Sequence, residues 1–186
     1  WARDLYEMAT GFIADGDRAT ARDWYKKALE LRADDRVTLT SLESLYEEMG
    51  DATALLDVVE RRVEVANGDG ERKELLYKQA KLTRTVHDTR EAISVYERIL
   101  DLSLDGPALE ALEELYASEG RFHDLVALYE RQIGEGHGDK ADLAVKLAAV
   151  AEKNLGDVPR AFEQLEKALA LDPQHGGAIA TLERLL

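Results

Sequence analysis

The sequence predicts an all-α chain, an α-solenoid of tandem helix-turn-helix units. Three observations carry this. First, one stretch recurs: Asp23–Leu31 returns as Ser94–Leu102 and Glu163–Leu171, with looser copies at Asp57–Val65 and Ala127–Glu135. A helix type repeated through a chain marks a repeat array. Second, apolar residues return at helical spacing, with Gly and Asp clusters between them. Third, the units alternate. Leu39-x-x-Leu42-Glu43-x-Leu45-Tyr46 matches Leu109-x-x-Leu112-Glu113-x-Leu115-Tyr116 seventy residues later, and Ile179-x-x-Leu182-Glu183-x-Leu185 seventy residues after that.

Residues 1–14 read as a helix with Leu5, Met8, Ala9, Phe12 and Ile13 on one face. Asp15-Gly16-Asp17 stops it, because Gly takes the left-handed turn and Asp caps the next helix. The second helix runs from about Arg18 to Leu31 on Ala21, Trp24, Tyr25, Ala28 and Leu29. The second unit pairs Val37–Met49 with Ala52–Ala66, across Gly50-Asp51. Leu75, Leu76, Ala80, Leu82 and Val86, then Ala92, Val95, Tyr96, Ile99 and Leu100, mark the third. Leu109, Leu112, Leu115 and Tyr116, then Leu125, Leu128, Tyr129 and Ile133, mark the fourth. The fifth has Leu143, Leu147, Ala148 and Ala151, then Ala161, Leu165, Ala168 and Leu169. Residues 177–186 open a sixth unit. The Gly-rich stretches Asn67–Gly70 and Gly134–Asp139 read as loops after the even units.

Composition sets limits. The 186 residues carry 24 Lys and Arg against 38 Asp and Glu, a net charge of −14. So acidic a surface repels phosphate backbones and disfavours nucleic acid, while it steers in a basic partner. There is no Cys, hence no disulfide framework or thiolate metal site. No apolar run reaches the roughly 18 residues of a membrane span. The start at Trp1 and the end within a pattern at Leu185-Leu186 suggest a piece of a longer protein. The compartment stays open, with cytoplasm favoured over periplasm.

The helix pair resembles the tetratricopeptide repeat. With Gly16 as the family's turn glycine, Leu5 takes the large apolar slot. Ala9, Ala21 and Ala28 take the small slots, and Phe12 and Tyr25 the aromatic ones. Small residues let two helices approach to about 8–10 Å. Pro173 stands in the closing proline slot. The units look bacterial. The resemblance implies one right-handed array over 1–186, with repeats at about 2–35, 36–70, 71–105, 106–139 and 140–174 and a partial sixth at 175–186. The even units depart from it, since Glu43, Glu113, Leu55 and Leu125 occupy small slots, so the helix spacing there is open. A lesser resemblance is to the half-a-tetratricopeptide repeats of RNA-processing factors. It rests on Tyr96-Glu97-Arg98 and Tyr129-Glu130-Arg131, without their first-helix Trp signature.

Chemistry finds little footing. No serine has a base at recognisable spacing. His87, His123, His137 and His175 never fall at the i, i+4 spacing of a zinc helix, so no metal or other cofactor is expected. The chain reads as a non-enzyme. Glu43 and Glu113 need a partner or water. Glu43 is expected to pair with Arg61 or Arg62, and Glu113 with Arg131, unless each carboxylate simply reaches solvent.

The resemblance implies a concave groove lined by the first helix of each unit, in which a peptide or partner helix lies. The groove positions are Tyr6, Thr10, Thr40, Ser44, Tyr77, Lys81, Arg84, Glu110, Glu114, Lys146 and Lys153. They form basic bands in the third and fifth units and an acidic band in the fourth, which suits a basic or mixed-charge protein partner. The plainer reading is that they are solvated surface residues. The family's grip on a terminal carboxylate does not transfer: its slots hold Tyr6, Thr10, Ser41, Glu74 and Lys78, and only Lys78 fits. The expected function is a protein–protein interaction scaffold. The alternative is a self-associating array that stacks through Trp1, Leu5, Leu182, Leu185 and Leu186.

Overall fold

A computed structural model describes residues 1–186. It is all helical, as expected. The helices are α1 (Ala2–Ala14), α2 (Arg18–Leu31), α3 (Arg36–Met49), α4 (Ala52–Glu64), α5 (Gly68–Val86), α6 (Thr89–Leu102), α7 (Gly106–Ser118), α8 (Phe122–Glu135), α9 (Lys140–Lys153), α10 (Val158–Leu171) and α11 (Gly176–Leu185). They form tandem hairpins of the expected kind, five pairs and one further helix.

Capping chemistry sets the boundaries. Asp17, Asp35, Asp51, Asp88, Asp105, Asp139 and Asp157 each accept a backbone N–H from the first turn of the next helix. Such a cap contributes about 1 kcal/mol. Gly50 ends α3 in the left-handed region at φ 68°, where an L side chain is strained.

The Gly-rich stretch 67–70 is no loop. α5 begins at Gly68 and is 19 residues long. The Asn67 backbone N–H donates to the Glu71 carboxylate at 2.7 Å, which folds the stretch into a first turn. Asp69 and Glu71 add negative charge where the helix dipole favours it. Gly134 and Glu135 likewise lie in the last turn of α8; the chain leaves the helix at Gly136, φ 72°, and residues 136–139 make the loop.

The chain divides into two compact units, Trp1–Ser103 and Leu104–Leu186. The first holds α1 to α6. Its core includes Ala9, Ala21, Tyr25, Leu39, Leu42, Leu45 and Val59, with Phe12 and Trp24 packed beside them. The second holds α7 to α11. Its core is alanine-rich around α9 and α10: Ala144, Ala148, Ala151, Ala161, Leu165 and Ala168.

The odd and even hairpins pack differently. In the odd hairpins fully buried alanines face each other: Ala9 and Ala21, Ala80 and Ala92, Ala148 and Ala161. No bulky side chain intervenes, so the two helices approach closely along their length. In the even hairpins Glu43 and Leu55, and Glu113 and Leu125, fill those slots. There α4 packs more extensively on α5 than on its own partner α3, and α8 more extensively on α9 than on α7.

Candidate functional site

The first helices within each compact unit are tied together at one-repeat spacing. In the first compact unit the Tyr6 hydroxyl meets the Ser41 Oγ at 3.3 Å, 35 residues on. Arg36 of α3 donates to both oxygens of Glu71 of α5 at 2.7 and 2.6 Å. Lys78 of α5 bonds both Glu43 and Glu47 of α3. In the second compact unit Lys146 of α9 reaches Glu113 of α7 at 2.9 and 3.1 Å. His175, at the start of α11, meets Asp142 at 2.8 Å, and Arg184 grips Glu152 at 2.6 and 2.5 Å. These ties hold α1, α3 and α5 in register in one unit, and α7, α9 and α11 in the other.

The expected groove positions fall on these helices. Tyr6, Thr10, Thr40, Ser44, Tyr77, Lys81 and Arg84 belong to the first unit, and Glu110, Glu114, Lys146 and Lys153 to the second. Thr10, Thr40, Ser44, Lys81, Arg84, Glu110, Glu114, Lys146 and Lys153 are exposed, while Tyr6 and Tyr77 are half-buried. The Thr10, Thr40 and Ser44 hydroxyls donate to carbonyls of their own helices, at 2.7, 2.8 and 3.3 Å. Lys146 is committed: it pairs with Glu113 and lies 5.8 Å from the Tyr129 ring centre.

Glu43 meets Arg62, one of the two expected cations. Arg61 instead donates to the Ala33 carbonyl at 2.9 Å. Glu113 does not meet Arg131, which bonds Glu135 on its own helix at 2.9 Å. The seventy-residue register supplies the reason. Arg131 is the counterpart of Arg61, and the counterpart of Arg62 is Gln132. The cation for Glu113 therefore comes from Lys146 on the next first helix, the role that Lys78 plays for Glu43. The buried Tyr129 phenol also bonds Glu113; burial first, and that carboxylate second, push the phenol's pKa up. Lys78, the one match to the family's carboxylate grip, is spent on this internal network. Burial opposes its charge, but Glu43 and Glu47 outweigh that and hold its pKa above the ordinary lysine value.

Two tyrosine pairs stand at equivalent places. Tyr6 and Tyr25 lie 5.4 Å apart between ring centres, Tyr77 and Tyr96 6.1 Å apart and edge to face. Beside the second pair, Tyr77, Lys81, Arg84, Thr85 and Tyr96 line an open recess of about 490 Å³. Tyr96 and Thr85 were not among the groove positions read from the sequence. The nineteen-residue offset within both tyrosine pairs was the available signal. No three acidic or histidine side chains converge as a metal site would require.

A tetratricopeptide-repeat family model matches residues 108–144, which cover α7, α8 and the start of α9. No curated protein sequence matches the chain. Among solved structures, it is similar to YrrB, described as a tetratricopeptide-repeat protein with an unusual peptide-binding site. That likeness has 18% identity and a TM-score of 0.45, over 96% of this chain and 90% of that one. MamA is similar at 20% identity and a TM-score of 0.47, over 94% and 93%. TTC0263 of Thermus thermophilus is similar at 16% and 0.42, over 100% and 98%. A tetratricopeptide repeat is thus matched over residues 108–144, and helix hairpins recur through the rest of the chain.

Proposed function

We propose that the chain is a non-catalytic interaction scaffold that receives a protein segment along its first helices. The observation that supports this is the one-repeat ties between first helices: Tyr6 of α1 to Ser41 of α3, and Lys78 of α5 to Glu43 of α3. Repeated, rigid and open surfaces of this kind suit an extended peptide or a partner helix. Within the first compact unit, charge on the first helices such as Lys81 and Arg84 would set register rather than raw affinity.

The test is capture of partners from the source lysate with the chain and with a variant carrying Thr10→Arg, Ser44→Arg and Glu110→Arg. All three residues are exposed, so the fold should survive. Loss of the captured protein from the variant is expected. Equal capture would sink the first-helix reading.

A second reading has one observation behind it. Trp1 is 94% exposed and Leu186 91%, with Met8 and Ile179 also open, so apolar surface faces water at α1 and α11. Stacking of copies through these faces would appear as mass that rises with concentration in sedimentation. A concentration-independent monomer would end that reading.

A further inference from the structure

We infer that the recess formed by Tyr77, Lys81, Arg84, Thr85 and Tyr96 receives an acidic segment of a protein partner, with a side-chain carboxylate between Lys81 and Arg84 and an adjacent apolar residue on the tyrosines. The inference rests on the scaffold reading above and names the chemistry of what it binds.

The two cations are the first ground. Lys81 and Arg84 lie one turn apart on α5, exposed, with no ion pair and no side-chain hydrogen bond. In a chain with 38 acidic against 24 basic residues, most arginines are engaged. Three carboxylates of the neighbouring helices are engaged elsewhere. Glu47 holds Lys78, Glu48 holds Arg18 at 2.9 Å, and Glu91 faces His87 at 3.6 Å. Two adjacent cations are left facing one opening.

The internal repeat is the second ground, because it separates packing from binding. The first hairpin has the same tyrosine pair, Tyr6 with Tyr25, and the same buried alanines. At the positions that correspond to Lys81 and Arg84 it carries Thr10 and Ile13. The fifth hairpin carries Ala149 and Glu152 there, and Glu152 is taken by Arg184. The hairpin therefore packs without cations at these two places, so the third hairpin does not need them for its fold.

The recess is the third ground. At about 490 Å³ it lies within the roughly 300–1,000 Å³ of ordinary ligand sites. Its floor is two half-buried rings in an edge-to-face pair, which suits an apolar side chain. The Thr85 hydroxyl is already turned to the Lys81 carbonyl at 3.1 Å, so the ammonium and guanidinium groups supply the polar recognition. The net charge of −14 repels an acidic ligand at long range. At physiological salt that field is screened beyond about 8 Å, while a contact pair is screened much less. Local chemistry then governs.

The experiment uses a fluorescent, C-terminally amidated dodecapeptide of Glu and Asp with one central Leu, titrated by polarisation at physiological salt. The same peptide with Gln and Asn, and a single-stranded oligonucleotide of equal charge, are the comparisons. Saturable binding of the acidic peptide alone is expected. Lys81→Ala with Arg84→Ala should weaken it about tenfold or more. Lys26→Ala with Lys140→Ala, which alters charge equally away from the recess, should leave it unchanged. Circular dichroism checks that both variants are folded. Three results each overturn the inference: no saturation up to about 1 mM peptide, equal binding by the amide peptide or the oligonucleotide, or equal loss in both variants. If the peptide fails while the Thr10, Ser44 and Glu110 variant still loses its lysate partner, the recess falls and the scaffold reading stands. If both fail, both fall.

Discussion

Glu43 and Lys78, 35 residues apart on α3 and α5, are bonded to each other, and Arg62 of α4 holds the same carboxylate from the other side. Glu43 is only 7% exposed. An anion placed so deep is tolerated because two cations from two further helices meet it. Glu43→Ala should therefore destabilise the first unit by about 1–3 kcal/mol, below the range for fully buried pairs because Lys78 keeps some contact with water. Urea denaturation measures it. Glu43→Met with Lys78→Met should cost less than the sum of the single changes, since neither then leaves the other's charge unpaired, and Arg62 keeps Glu71 at 3.5 Å.

The helix-contact slots of the two hairpin types make an opposite pair of predictions. Ala80 is fully buried where α5 meets α6, so Ala80→Leu should overpack the hairpin and cost about 1–3 kcal/mol. Leu125 fills the equivalent interface of α8, and Leu125→Ala should open a cavity and cost about 2–5 kcal/mol. Thermal melts rank the two. A stabilising Leu125→Ala would mean that the even hairpins can close like the odd ones.

Gly70 tests where α5 begins. It lies inside the helix, and a Cβ there would meet open space. Gly70→Ala should stabilise the chain by about 0.5–1 kcal/mol. Gly50→Ala should do the reverse, because Gly50 sits at φ +68°. No gain at Gly70 would return the stretch to a loop.

Acid should loosen the first-helix ties. The Asn67 backbone N–H first, and Arg36 second, hold the Glu71 carboxyl below its ordinary pKa, and Arg184 does the same for Glu152. A depressed pKa adds stability that is present above the unfolded value of about 4.3 and is lost as pH falls through the folded one. The urea midpoint should drop below about pH 4.5, and Glu71→Gln should flatten that drop.

His175 should titrate in the other direction. Its bond to Asp142 raises the imidazole pKa above the ordinary value. That pair adds stability fully present below about pH 6.5 and lost as pH rises through the raised value. Nδ1 of the same ring accepts the Ala178 N–H at 3.2 Å, which caps α11 and which protonation removes. Titration thus exchanges a helix cap for an ion pair. An NMR titration should show the His175 midpoint fall in Asp142→Asn; an unmoved midpoint would exclude the pair as its cause.

The hairpins were legible in the residues because their causes are local. Periodic apolar positions, Asp caps and Gly50 act within a few residues of where they stand, and the small-residue slots at Ala9, Ala21, Ala80 and Ala92 say where helices can touch. The Glu–cation pairing was half legible: Arg62 was among the expected partners of Glu43, but Glu113 meets Lys146 and Tyr129 rather than Arg131. The Gly-rich stretch 67–70 was misleading, because composition alone cannot show that Glu71 folds back onto Asn67. The sequence by itself determined the helix pairs, their order and the alternation of two hairpin types. Only the tertiary structure decided which charge meets which across a repeat, and so which cations, Lys81 and Arg84 among them, are left over. A side chain's partner one repeat away depends on helix rotation and spacing, which bulky residues such as Leu55 and Leu125 change and which no short pattern encodes.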